Sequence, residues 1–264
     1  MALDSHNNPH LIYYMTTIVN DSTTESMNYA VWNGTNWTIE SINGSGGLLA
    51  LDYSDRPHIL YYGTGGLTYA VWTGTNWKNE SVPSSRVGDN YIMALDSNGN
   101  PHVVYSSYSF YNNTYVTNLI YAVWNGTNWT IQTIDTRQSN SSLTSGLTPS
   151  SIVLDSNGNP HIIYTENMLY RYYNVNSYSK EADLGTNNVK YAEWTGSSWQ
   201  TQLLAINSSS VSNLVLNSKG QPSFCYAYDN SYYIPEYGTF KASGWWNYEL
   251  SLLYFIEGIE KPLN

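Results

Sequence analysis

ALDSNGNPHVVYSSYSFYNNTYVTNLIYAVWNGTNWTIQT, running from Ala94 to Thr133, recurs with variations along the whole chain. Its first marker is an apolar strand ending in Leu-Asp, then a turn and Pro-His. Copies start near Ala2, Ala50, Ala94, Val153 and Val215, with Asp4, Asp52, Asp96, Asp155 and Asn217 at one position. The second marker is YAVWNGTNW at Tyr29–Trp37, echoed at Tyr69–Trp77, Tyr121–Trp129 and Tyr191–Trp199 and degenerate at Thr239–Trp246. The markers recur about every 44 to 62 residues, at or above the length of a four-stranded blade.

Each copy resolves into four strands. ALD closes strand A, and the Asn-Gly tetrapeptide Ser97–Asn100 is a tight hairpin turn. PHVVY is strand B, its proline at the start, where no ladder N–H is lost. IYAVW is strand C, the NGTN turn follows, and WTIQTI is strand D. Strands this apolar on both faces need cover on both sides, which neighbouring blades supply in a propeller. No stretch shows helical periodicity. The expectation is an all-β chain: one five-bladed β-propeller of four-stranded antiparallel blades. The blades span roughly 2–48, 49–91, 92–149, 150–211 and 212–264. The tail from Tyr254 to Asn264 has no counterpart in the other repeats and either seals the ring or belongs to a larger assembly.

The unit LDSxGNPHIxYY…LxYAxWxGxxW resembles the tandem blade repeats of bacterial and archaeal surface proteins. It is similar in outline to sialidase-like and lectin-type propellers. That resemblance covers nearly the whole chain and implies an extracellular or cell-surface location. It implies no one activity, because one propeller architecture serves many. The C–D turn keeps the Gly and Trp of the sialidase Asp-box but lacks its Ser and Asp, and the Phe/Tyr-Arg-Ile-Pro motif is absent.

Composition narrows the partners. A net charge of -10 supplies few cations against nucleic-acid phosphates, so no nucleic acid is expected. No apolar run reaches the roughly 20 residues of a membrane helix, so no membrane insertion is expected. Met1 opens directly on repeat sequence, as in a mature or excised chain. A single cysteine, Cys225, excludes an intrachain disulfide. Self-association and a larger parent chain both stay open. Asn-x-Ser/Thr triplets, Asn112 among them, are acceptor candidates if the protein is exported.

The repeated polar residues read as scaffold. His10, His58, His102 and His161 share one position per repeat, and residues so dispersed do not build one catalytic or metal centre. A buried imidazole bonded to the neighbouring strand is the expectation, with no catalytic residue, metal or cofactor assigned. The Asp-Ser-Asn-Gly-Asn turn begins like a calcium loop, but Pro101 stands where that pattern needs Gly. An Asp accepting backbone N–H bonds inside the turn suffices. The paired tryptophans face each other across strands C and D.

What is not repeated carries the functional expectation. The B–C and D–A connections vary in length and are rich in tyrosine. Blade 3 inserts Ser106–Asn118 with Tyr108, Tyr111 and Tyr115; blade 4 carries Tyr170, Arg171, Tyr172 and Tyr173; blade 5 adds Tyr232 and Tyr233. Arg86 and Tyr91 lie before blade 3, and the run Arg137–Ser151 precedes blade 4. Variable aromatic loops on a rigid scaffold are a binding arrangement, and Tyr, Ser, Asn and Gly suit adaptable recognition. These eleven residues form the expected ligand face, for a glycan or a surface protein. The alternatives are a glycan-processing enzyme, using a carboxylate pair drawn from Asp89, Glu166, Glu181, Asp183, Asp229 and Glu236, or an architectural domain of a larger surface protein.

Overall fold

The computed structural model describes residues 1–19, 22–84, 87–140, 143–172, 182–205, 208–229 and 248–254. These residues are all-β, with no helix among them. Sheet one contains β1 (Ala2–Leu3), β2 (Pro9–Val19), β3 (Ser22–Trp32) and β4 (Trp37–Ile42), in that spatial order. Sheet two repeats the arrangement with β5 (Ser45–Leu51), β6 (Pro57–Gly63), β7 (Gly66–Trp72) and β8 (Trp77–Ser81). Sheet three has β9 (Val87–Leu95), β10 (Pro101–Tyr111), β11 (Thr114–Trp124) and β12 (Trp129–Asn140). Sheet four has β13 (Leu143–Leu154), β14 (Pro160–Tyr172), β15 (Ala182–Trp194) and β16 (Trp199–Ala205). In sheet five, strand A is split into β17 (Ser208–Val211) and β18 (Val215–Leu216). Both pair with β19 (Pro222–Asp229), which also pairs with β20 (Tyr248–Tyr254). Sheets one to four are therefore the four-stranded antiparallel meanders that the sequence predicts, and sheet five departs from that plan among the described residues.

The chain divides into two compact units, Met1–Val103 with Tyr121–Gln132, and Val104–Ile120 with Thr133–Asn264. In the first unit, sheet one packs on sheet two through Met27, Tyr29, Ile59, Tyr61 and Ala70. In the second, sheet four packs on sheet five through Ile163, Val189, Tyr191, Leu204, Leu214 and Phe224. Strand B is covered on both faces, so Ile59 and Leu60, adjacent in sequence, are both fully buried. That is why these strands read as continuous apolar runs rather than alternating ones.

The repeated letters explain the packing. In each A–B turn one side-chain oxygen takes two backbone N–H bonds. Asp96 accepts from Asn98 and Asn100, both at 2.8 Å, and Asn217 does the same with Lys219 and Gln221 at 2.9 and 3.0 Å. Gly99, at φ +78°, takes the left-handed position of that turn. The histidine that follows is buried and bonded to the strand C tyrosine. His10–Tyr29 and His58–Tyr69 are 2.6 Å apart, His102–Tyr121 is 2.5 Å, and His161 pairs with Tyr191 in the same way. Two of those tyrosines reach the next sheet. Tyr29 meets Trp77 edge-on at 5.2 Å, and Tyr69 meets Trp129 at 6.0 Å and 90°. Each tryptophan also lies against its partner across the C–D turn, as Trp72 does with Trp77 at 5.4 Å. Asp, His, Tyr and Trp thus form one chain of contacts that fixes a turn, ties strand B to strand C, and joins consecutive sheets.

Candidate functional site: an aromatic hairpin face

The Ser106–Asn118 insert is not an irregular loop. It is the continuation of β10 and β11, closed by Asn112 and Asn113 at φ +48° and +59°. Two consecutive positive φ values make the tight primed turn that matches strand twist, and asparagine tolerates that region. Alternation of Tyr and Phe with Ser keeps the extension in β conformation. The root of the hairpin is fully buried at Val103, Val104 and Leu119, and its far end emerges into solvent.

The exposed end is aromatic. Tyr108 and Phe110 are each 49% exposed, Tyr115 is 42% exposed and Tyr111 is 75% exposed. Residues two apart on a strand share a face, so Tyr108 and Phe110 point the same way and Tyr111 the other. The rings of Phe110 and Tyr115 lie 4.4 Å apart at 40°. Three rings therefore gather on one side of the hairpin. Phe110 was not among the expected ligand residues, although its place two positions from Tyr108 was the signal.

The other expected positions fall differently. Tyr91 is not on a free surface. It is buried in β9, where its phenol donates to the Gly46 carbonyl at 2.5 Å. Tyr170, Arg171 and Tyr172 lie on β14, in register with Leu184, Asp183 and Ala182 of β15. Arg86, Tyr173, Tyr232 and Tyr233 lie outside the described residues. The described residues of Arg137–Ser151, expected as a connection between blades, lie in β12 and β13, and β13 pairs with β14 along its length.

A second polar constellation lies where sheet three meets sheet four, within the second unit. The Lys190 ammonium pairs with Asp135, and the Tyr164 hydroxyl donates to the same carboxylate oxygen at 2.9 Å. Burial pushes the Asp135 carboxyl up, but the hydrogen bonds and charge of Lys190 and the bond from Tyr164 outweigh it, and the net shift is downward. Arg137 pairs with Glu166, which is only 1% exposed and also accepts from Asn188 at 3.3 Å. Asp135 and Lys190 carry no motif. Their equivalents in other repeats are neutral, such as Asn28, Thr68 and Ile120 in place of Lys190. That departure from the repeat was the only signal available. Each carboxylate is paired with a cation from another strand, Asp135 with Lys190 and Glu166 with Arg137, an arrangement that ties strands together.

The histidines behave as scaffold. Burial is the largest influence on each of His10, His58, His102 and His161 and holds them below the usual imidazole value. Among the described residues no cluster of three His, Cys, Asp or Glu is placed to hold a metal ion. No protein-family model matches the chain, and the curated proteins contain no match to it.

Proposed function

We propose that this chain is a five-bladed β-propeller acting, at the cell surface or outside the cell, as a non-enzymatic recognition module for a glycan or protein ligand. The observation that carries the reading is the half-exposed aromatic face of Tyr108, Phe110 and Tyr115, with Tyr111 on the opposite side of the same hairpin. A fold that needed only a turn between strands B and C would stop where sheet two does, with Gly63 and Gly66 closing β6 on β7. Large apolar rings left in water on a rigid strand pair are an unfavourable surface unless something covers them. Successive four-stranded sheets, each packed on the next within its unit, support the propeller architecture.

The catalytic alternative finds less support. A glycosidase needs one carboxyl raised in pKa as acid and a second carboxylate free to act. Asp135 is lowered, and Glu166 is paired with Arg137.

The test uses the purified chain on a glycan array, on an immobilised surface-protein extract and with a panel of fluorogenic glycosides. The expected result is saturable binding, lost in Phe110→Ala/Tyr111→Ala at an unchanged melting temperature, with no glycoside turned over. Turnover overturns the non-enzymatic reading. Absence of saturable binding on both surfaces leaves an architectural role and overturns recognition.

A further inference from the structure

We infer that the Tyr108–Phe110–Tyr115 face takes a neutral polysaccharide; the inference rests on the recognition reading above and names its ligand class. Charge decides first. No Asp, Glu, Lys or Arg occurs between Asp96 and Asp135, so the whole hairpin is uncharged in a chain of net charge -10. A uronate or sialylated glycan would meet no cation here and a repulsive overall field. A basic partner would find no carboxylate on the hairpin.

Area decides next. Three rings of roughly 200 Å² each, a little under half exposed, offer about 300 Å². A stable protein interface needs about 800 Å² per partner. One or two pyranose rings cover the smaller area, with their C–H faces against the aromatic faces.

The surroundings agree with a hydroxyl-rich ligand. Asn112 and Asn113, in the turn between Phe110 and Tyr115, are exposed at the end of the ring face. Each supplies neutral donors and acceptors for sugar hydroxyls.

Affinity electrophoresis tests this with the full chain in native gels. The neutral gels contain mannan, dextran or mixed-linkage β-glucan; the anionic gels contain polygalacturonate or hyaluronate. At least one neutral gel is expected to retard the protein, equally at low salt and at about 0.5 M salt, since no charge is involved. Phe110→Ser/Tyr115→Ser is expected to weaken that retardation at least tenfold with an unchanged melting temperature. Tyr115→Trp, which keeps a large ring, is expected to retain it and serves if the double variant folds poorly. Retardation by anionic gels alone, neutral retardation that survives loss of both rings, or no retardation at all overturns the inference. If it falls while the array or the surface extract still shows binding lost in Phe110→Ala/Tyr111→Ala, recognition stands with another ligand class. If nothing binds in either experiment, both readings fall.

Discussion

Replacing Tyr69 by phenylalanine removes one oxygen from the contact chain that joins turn, strands and sheets. The ring stays, and with it the edge contact to Trp129. What is lost is the hydroxyl 2.6 Å from His58 Nδ1. His58 Nε2 lies 3.3 Å from Asp52 Oδ2, so the neutral imidazole carries its proton on Nε2 and donates it to Asp52. Nδ1 is then an acceptor, and Tyr69 is its donor. His58 is 1% exposed, so water does not replace that donor in the variant. A buried acceptor left without a partner costs about 1–3 kcal/mol, and this is the expected loss of stability in Tyr69→Phe. With a urea slope of about 2 kcal/mol per molar, the midpoint falls by about 0.5–1.5 M. Tyr62→Phe, on an exposed ring, is the control and is expected to stay within about 0.5 kcal/mol of the parent. Urea unfolding followed by tryptophan fluorescence measures both. A Tyr69→Phe midpoint indistinguishable from that of Tyr62→Phe would refute the reasoning, because the His–Tyr bond would then contribute nothing to holding the sheet.

Acid should unfold the protein steeply. The four repeat histidines have lowered values in the fold, so below the ordinary value of about 6.5 the unfolded chain binds more protons and stability falls as pH drops. Each contributes a slope of at most about 1.4 kcal/mol per pH unit until its own lowered value is reached. Urea midpoints measured from pH 7.5 to 5 check this, and a flat profile contradicts it. Lys190→Met leaves Asp135 with the Tyr164 hydroxyl but no countercharge, and is expected to cost about 3–5 kcal/mol at neutral pH. Lys190→Met/Asp135→Leu should recover most of that loss, as read by calorimetry. Gly46→Ala is expected to destabilise by more than about 1 kcal/mol, because Gly46 sits at φ +69° and a Cβ there collides with the Tyr91 phenol oxygen. Thermal melts of Gly46→Ala and of the open-space control Gly65→Ala make the comparison.

The strand plan was legible because each repeat spells it with residues whose roles are local. The Asp96 turn, the Pro101 strand start and the Trp124–Trp129 pair are all fixed within one copy of the motif. Contacts between copies were harder to see. Nothing in the spacing of Tyr69 and Trp129 says that they meet, since that depends on which face of one sheet lies against the next. The same holds for Lys190 and Asp135, which are far apart in sequence and belong to different sheets. The insert after Tyr105 stands out as unrepeated, and its alternation of aromatic and small residues is a strand signal within a segment of connecting-loop composition. Tyr91 has a packing role that its position did not reveal. A tyrosine near variable segments looks like a ligand contact, yet its hydroxyl serves a backbone carbonyl.

In the first unit the edge contacts Tyr29–Trp77 and Tyr69–Trp129, each from a strand C tyrosine to the next sheet's strand D tryptophan, give the joined sheets two unlike sides, a knob and a socket. Such an interface is directional, and both contacts share one polarity. Duplicating the second repeat whole would therefore set a strand C tyrosine against a strand D tryptophan again at the new junction. Cutting within a repeat would instead place two knobs or two sockets together. The unit of length change that these contacts favour is thus the whole repeat, set by an aromatic pair.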